Sequence, residues 1–348
     1  MYPAGRKSVT ETNCYAAIQL QQTGSLTPKL LLKENLAIPA QLYPNQVLIK
    51  MIYAAVNPSD FMVMRGQYVV KKTLPAVPGT VGVGVVIAAG NAIRSRWLKG
   101  KRVACAGNYT GDGTWGQYLL AANTSVMPLQ KRISDEVGAN LLSNPNTALA
   151  IFHDLKKRRV QCFIQTAAAS DIGQLLQFAA REQHIQVINI VRKQEDVDLL
   201  QSKFGFSTLN STAVNFDREL ETVAKRFQPT VFLDAVSGEM TSRIAQALGA
   251  RGQIILYGML SGRDPVIDQS AFSRKDLRLE TFSIMRYLEN QSLPGMLRHV
   301  LQLQSFGKKY TGTTIRGIVS LQQLIQDWPA YEKQSGLGKY LLDPFQTF

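Results

Sequence analysis

The sequence predicts an α/β protein in which a β-rich domain is joined to a doubly wound parallel sheet. Three observations carry that reading. The first 130 residues hold β-branched runs broken by glycine, the pattern of many short strands in a barrel-like domain. From about Pro128 the pattern becomes helix and strand in alternation, as in parallel sheets with helical crossovers. At 348 residues, with 45% apolar and 18% charged residues, the chain has room for roughly two domains of about 150 residues, each with a real core.

Taken in order, Asn45 to Val56 ("NQVLIKMIYAAV") is a long β-prone run, and Gly79 to Gly90 ("GTVGVGVVIAAG") is a glycine-punctuated one. "KRVACAG" and "TWGQYLLA" follow, with turn residues between them. "VQCFIQTA" opens the alternating part as a strand. After it Ile172, Leu175, Leu176, Ala179 and Ala180 recur at helical spacing. Ile185 to Val191 ("IQVINIV") is the next strand and "EDVDLLQSKF" the next helix. "ELETVAKRF" then leads as a helix into the strand "TVFLDAV", and "IAQALGA" into "GQIILYG". After about Ser305 come "TTIRGIV", a helix over "LQQLIQDWPAYEKQ", and "GKYLL". These last elements could rejoin the first domain and make it discontinuous.

Composition narrows the function. Lys and Arg number 39 against 25 Asp and Glu, a net charge of +14, which favours anionic partners such as phosphorylated substrates. The charge gathers in "KKRR" (Lys156 to Arg159) and "RSRWLKGKR" (Arg94 to Arg102), and such runs usually sit in water. No zinc-finger spacing or RNA-binding signature accompanies them, so nucleic acid is not expected as a partner. No run approaches the roughly 18 apolar residues of a membrane span, and "MYPAGRKSVTETN" lacks the apolar core of a signal peptide. A cytoplasmic protein without membrane association is expected. Cys14, Cys105 and Cys162 form neither a disulfide framework nor a metal clip, and His153, His184 and His299 are equally scattered. No metal site is expected.

The strand–turn–helix "IQTAAASDIGQ" (Ile164 to Gln174) stands where dinucleotide-binding domains set a glycine-rich turn against a pyrophosphate. Small residues matter there because a side chain holds the phosphate away. Three alanines, Ala168 among them, keep the turn small, while Thr166 and Ser170 offer hydroxyls. Ile172 and Gly173 open the helix, with Gly173 where close helix–strand packing wants a glycine. Asp171 is the odd residue. About 20 residues further on, NAD-binding units carry an acidic residue for the ribose, whereas NADP needs a cation for its 2′-phosphate. Here Arg192 and Lys193 end the second strand, and a guanidinium can grip a phosphate bidentately. NADPH is the expected cofactor.

Several segments, in order and spacing, resemble the medium-chain dehydrogenase/reductase superfamily in its zinc-free form: "NPSDFMVMRGQY", "LPAVPGTVGVGVVIAAG", "GTWGQYLL", "NPNTA", "LDAVSGE", "GQIILYG" and "GKYLL". The likeness covers almost the whole chain. It is greatest to mitochondrial-type 2-enoyl thioester reductases, with quinone oxidoreductases next. It implies a GroES-like β-rich catalytic domain over 1–130 and 305–348, a Rossmann NADP-binding domain over 131–304, an active site in the cleft between them, and a homodimer. In the zinc alcohol dehydrogenases of the superfamily a Cys precedes the early Asp and a Gly-His-Glu follows the Pro. This chain has "NPSD" and "PGTVG" instead, with Thr80 and Val81 in those places, so zinc cannot be the electrophile. The "GxY" tyrosine of the reductases, their acid or oxyanion donor, maps to Tyr68. The resemblance also implies that Asn57, Asn144 and Thr147 line the pocket of substrate and nicotinamide. Asp171 departs from the family's usual glycine, where it would either repel the pyrophosphate or cap the helix.

The expected activity is hydride transfer from NADPH to an activated C=C bond, foremost a trans-2-enoyl thioester of CoA or acyl carrier protein. A phenol at Tyr68 would then serve the enolate oxygen or deliver the α-proton. One alternative keeps fold and cofactor but reduces quinones or small enones. Another is a non-catalytic nucleotide- or nucleic-acid-binding relative, suggested by Asp171 and the charge.

Overall fold

A computed structural model describes residues 14–24, 28–68, 70–309, 315–334 and 338–346. The chain divides into two compact units, one of residues 1–143 with 302–348 and the other of residues 144–301.

The first unit opens with β1 (Cys14–Gln22) and β2 (Lys29–Ala37), paired antiparallel as a sheet of their own. Then come β3 (Gln46–Val56), α1 (Pro58–Met64), β4 (Val81–Ala89), α2 (Ile93–Leu98), β5 (Arg102–Ala106), β6 (Tyr118–Ala122), β7 (Val126–Pro128) and α3 (Asp135–Asn140). Glycines of "GTVGVGVV" are there for close approach: a Cβ on Gly82 would stand 2.7 Å from the Tyr53 carbonyl oxygen of the neighbouring strand. The core gathers around Trp115, whose indole N–H donates to Ala55 O at 3.1 Å and whose ring meets Phe61 edge-on.

The second unit begins with α4 (Asn144–Lys157) and continues as β8 (Cys162–Gln165), α5 (Asp171–Glu182), β9 (Gln186–Val191), α6 (Gln194–Phe204), β10 (Ser207–Asn210), α7 (Phe216–Phe227), β11 (Val231–Asp234), α8 (Glu239–Ala245), β12 (Gln253–Leu256), α9 (Gln269–Lys275), β13 (Arg278–Thr281), α10 (Ile284–Glu289) and α11 (Leu293–Lys309). Residues of α11 from Gln302 onward count with the first unit. The sheet runs β10-β9-β8-β11-β12-β13, every pair parallel. Counted within the unit this is the order 3-2-1-4-5-6 of a Rossmann sheet, whose direction of winding reverses between β8 and β11. Its inner strands are mostly apolar, as in parallel sheets covered by helices, with Gln165, Asn189 and Asp234 as buried polar exceptions, and Ile164, Ile188, Ile190, Phe232 and Ile254 form its core.

The chain then returns to the first sheet with β14 (Ile315–Val319), α12 (Leu321–Gln334) and β15 (Lys339–Leu342). Thr313 and Thr314, expected in that strand, lie outside the described residues. The first sheet reads β14-β15-β3-β4-β5-β7, with β6 also on β3. The helix expected over Leu321 to Gln334 is kinked: Asp327 leaves helical geometry two residues before Pro329, whose ring and missing N–H forbid a regular turn. The α/β class holds, as do the strands expected from Asn45 to Ala121 and from Val160 to Gly258.

Candidate active site

In an open parallel sheet, ligands bind beyond the strand ends where the winding reverses. In the second unit that point lies at the loops after β8 and β11. Asp234, fully buried at the end of β11, ties the two loops together. Its Oδ1 accepts from the Thr166 hydroxyl at 2.9 Å and from the Val236 and Ser237 amides at 2.9 and 3.0 Å. Its Oδ2 accepts from Thr241 Oγ1 at 2.6 Å. Thr166 Oγ1 in turn accepts from the Ala235 amide at 2.9 Å. The Thr166 hydroxyl is therefore committed to the protein, and its part in the site is to fix the loop.

Ala168 is buried as well; its amide donates to Ile190 O, and its carbonyl accepts from Gln177 Nε2 at 3.0 Å. Gln177 belongs to a buried amide chain. Gln165 Nε2 donates to Asn189 Oδ1 at 2.7 Å, and Asn189 Nδ2 donates to Gln177 Oε1 at 2.9 Å and to Thr208 Oγ1 at 3.2 Å. Gln165 and Gln177 also each donate to Gly173 O at 3.1 Å. Gln165 Oε1 is buried without a hydrogen-bond partner among the described residues, but the bonds that the chain does make tie the three amides to one another and to Gly173 O. Their signal in the sequence was slight: polar residues at positions the period assigns to the core.

Ser170, not Asp171, is the N-cap of α5, accepting from the Gly173 amide at 3.2 Å. Its hydroxyl hydrogen remains to donate. Asp171 and Ile172 are the first helical residues, both half-buried. Asn144 Nδ2, at the start of α4, donates to Asp171 Oδ2 at 3.2 Å, so two of the residues singled out from sequence meet. Thr147 lies one turn along α4, half-buried. Arg192 and Lys193 follow β9, both exposed, and neither side chain has a hydrogen bond or ion pair among the described residues.

The first unit carries Asn57 and Tyr68. Asn57 precedes α1; its amide donates to Asp60 Oδ2 at 2.8 Å, and its Oδ1 accepts from the buried Lys339 ammonium at 2.9 Å. Asp60 is fully buried. Burial pushes its carboxyl up to about 6, against the pull of the Asn57 amide, the nearby Thr80 and the Lys339 charge. Asn57 Nδ2, Asp60 Oδ1 and Thr80 Oγ1 are buried with no aligned hydrogen-bond partner among the described residues. Tyr68 is half-buried. Burial, then the neighbouring Tyr109 and Asp60, hold its phenol above the ordinary tyrosine range, so it stays protonated at neutral pH. Sequence reading passed over Asp60 and Lys339 although "NPSD" and "GKYLL" contain them, because nothing in either motif says that the other lies beside it. Val81, like Thr80, offers no zinc ligand.

An alcohol dehydrogenase GroES-like domain is recognised over residues 43–131. Among curated relatives, the mitochondrial enoyl-[acyl-carrier-protein] reductase of Mus musculus is 28% identical over 271 residues, 76% of this chain and 71% of that protein. The corresponding reductase of Arabidopsis thaliana is 27% identical over 255 residues, 72% and 67% of the two chains. Among solved structures, a candidate NADPH:quinone reductase from Mesorhizobium loti is 30% identical, with a TM-score of 0.86 over 95% of this chain and 98% of that one. An enoyl thioester reductase from Candida tropicalis shares the fold, with a TM-score of 0.78 at 21% identity over 94% and 99% of the chains. Together with the Rossmann order and the residues at Thr80 and Val81, these likenesses define the class: an oxidoreductase. The chain belongs to the zinc-independent medium-chain dehydrogenase/reductase superfamily, which sets aside the non-catalytic reading. No helix among the described residues is long and apolar enough to cross a membrane.

Proposed function

We propose that this protein uses NADPH to reduce the C=C bond of an α,β-unsaturated carbonyl compound, foremost a trans-2-enoyl thioester of CoA or acyl carrier protein. The observation that carries the reading is Tyr68: a half-buried phenol, held protonated, whose hydroxyl has no partner among the described residues. The enoyl reductases among the relatives support the thioester.

The residues fit the cofactor. The turn before α5 is small, Gly173 lets the helix close on Ala168, and the helix N-terminus favours an anion. Ser170 keeps a hydrogen to donate, and Arg192 with Lys193 offers two uncommitted cations for a 2′-phosphate. When bound, NADPH supplies the hydride. Tyr68 donates to the carbonyl oxygen as charge collects there, and a donor of this kind typically lowers the barrier by about 2.7–4 kcal/mol. Asn57 is held by Lys339 and Asp60 in one orientation, suited to lining the acceptor's pocket. Asn144 and Thr147, on the first turns of α4, are assigned to the nicotinamide side. Asp171, on the first turn of α5, would stand near a bound pyrophosphate, with one carboxylate oxygen already accepting from Asn144.

The test is a paired assay. Steady-state rates on a crotonyl thioester and on a simple quinone are compared between wild type and Tyr68→Phe. The thioester rate should fall about 100-fold or more, kcat and kcat/KM together, while a quinone, whose reduced oxygen can take its proton from water, is reduced nearly as well. An unaffected thioester rate makes Tyr68 structural. A wild type active only on the quinone hands the assignment to the second reading, which the full-length likeness to the Mesorhizobium loti protein favours. The reading also includes a homodimer, supported by the exposed edge strand β13, and a reducing setting, supported by three free cysteines, which we assign to the cytoplasm.

A further inference from the structure

Tyr68 does not stand alone. The Tyr109 ring lies parallel to it within 3°, ring centroids 6.5 Å apart. Tyr109 sits on a tight turn whose Asn108 amide donates to Asp112 O at 2.8 Å and whose Thr110 amide and hydroxyl both donate to Asn108 Oδ1 at 3.0 Å. That turn is fastened to the segment following Tyr68. The Lys72 ammonium donates to the carbonyls of Asn108, at 2.7 Å, and of Gly111, and the Thr73 amide donates to Thr110 O at 2.8 Å. These bonds hold the turn that carries Tyr109 against the segment that follows Tyr68.

Both rings are half-buried, and neither hydroxyl has a hydrogen-bond partner among the described residues. A tyrosine that buries its ring usually finds a partner for its O–H. Two adjacent ones that do not, held parallel, make a surface with flat apolar faces and two polar tips. The ligand complementary to that surface is flat, carries π electrons and has a carbonyl at its edge. Burial holds both phenols protonated, with Asp60 adding to the effect, so both tips can donate.

We propose that Tyr109 is a specificity-determining residue that, with Tyr68, forms an aromatic platform for the acceptor, so that the enzyme favours unsaturated carbonyl compounds bearing a planar ring over those bearing a short alkyl group. This rests on the reading that Tyr68 faces the acceptor. A ring conjugated to the reacting C=C extends the plane that the two tyrosines contact. A methyl group in its place forfeits that contact and keeps only the hydrogen bond at the carbonyl.

The experiment compares 4-phenylbut-3-en-2-one with pent-3-en-2-one, which share the enone and differ in phenyl against methyl. The enzymes are wild type, Tyr109→Leu and Tyr109→Phe, at saturating NADPH. The readout is the ratio of kcat/KM for the phenyl over the methyl acceptor. In Tyr109→Leu that ratio should fall about 3- to 10-fold, the worth of one aromatic contact, and chiefly through KM. Tyr109→Phe, which restores the ring, should recover it. An unchanged ratio in Tyr109→Leu overturns the proposal, and so does an equal fall in Tyr109→Phe, which would make the hydroxyl the determinant. A calorimetric titration with the saturated ketone 4-phenylbutan-2-one in the presence of NADP⁺ separates this proposal from the reductase reading. Weaker binding to Tyr109→Leu than to wild type, in a protein that reduces neither enone, keeps the aromatic contact and sinks the reductase. Turnover of both enones with an unchanged ratio and equal ketone binding does the reverse.

Discussion

Asp60 and Arg192 mark two ways in which a single charge is used. Asp60 is buried, with its carboxyl pushed up to about 6. Between about pH 4 and 6 the folded chain keeps a proton that the unfolded chain, with an ordinary aspartate, has released. Stability from this group is thus fully present below the unfolded value and is lost as pH rises through about 6. The shift from 3.8 corresponds to about 3 kcal/mol. Urea unfolding should therefore show the difference in stability between wild type and Asp60→Asn shrinking or changing sign in favour of the variant as pH goes from 4 to 7. A pH-independent difference refutes it. Taking the difference removes His299, whose imidazole burial lowers to about 4 and whose contribution runs the other way, rising with pH up to the ordinary histidine range. Arg192 is the opposite case, exposed and uncommitted. Arg192→Ala should weaken NADPH about 10-fold or more, a charge-assisted bond being worth roughly 1.5–3 kcal/mol, and leave NADH affinity nearly unmoved. Equal affinities of wild type for the two cofactors would remove Arg192 from the site. Arg192 was legible because a position about 20 residues past the turn is a local count. Asp60 was not, because both its burial and the nearness of Lys339, from the other end of the chain, follow only from the fold.

The turn into α5 answers a question its sequence raised: how so few glycines can serve. Ala167 takes the left-handed conformation, φ 50°, that a glycine would take without strain. Ser170 caps the helix, and the Gln165–Asn189–Gln177 chain braces the carbonyls. Only Gly173 has no substitute. A Cβ there would fall 2.5 Å from Ala168 O and 2.7 Å from Ala168 Cα, both backbone atoms that cannot swing aside. Alanine's helix propensity favours the change by about 1 kcal/mol, but overpacking of this kind costs about 1–3 kcal/mol, and the clash wins. Gly173→Ala should lower the melting temperature by a few degrees, roughly 2–4 °C per kcal/mol, and weaken NADPH as the helix end shifts. A variant as stable and as tight-binding as wild type would contradict this packing. The strand, the turn and the helix were all visible as patterns. The brace was not, since Gln and Asn within apolar runs look like exceptions to the period.

At the scale of the whole molecule the chain closes on itself: β15 pairs antiparallel with β3, Leu341 opposite Ala55, so the first sheet needs both ends of the sequence. The second sheet ends on β13, all four of whose residues are exposed, and an exposed strand edge with an apolar side chain such as Leu279 invites pairing. On α11, Leu293, Leu297 and Leu301 repeat every fourth residue on one face, 87%, 63% and 60% exposed, a stripe wider than scattered surface leucines make. Light scattering at micromolar concentration should give the mass of two chains, and Leu297→Arg should shift the population toward one. A wild-type monomer under those conditions would remove the homodimer from the proposal.

By itself the sequence determined the α/β alternation, the β-rich beginning, the want of zinc ligands at Thr80 and Val81, and the strand–turn–helix of a Rossmann unit. Each of these is read from local periods, spacings and motifs, one segment at a time, without knowing which distant segment lies beside it. Only the tertiary structure decided that Lys339 reaches Asn57, 282 residues away, that Thr166 belongs to Asp234, 68 residues on, and that Tyr109 lies parallel to Tyr68. These partners come from different strands and turns, brought together by strand order. A contact made that way leaves no period in the chain, because either partner alone is an ordinary polar or aromatic residue until the sheet places the other beside it.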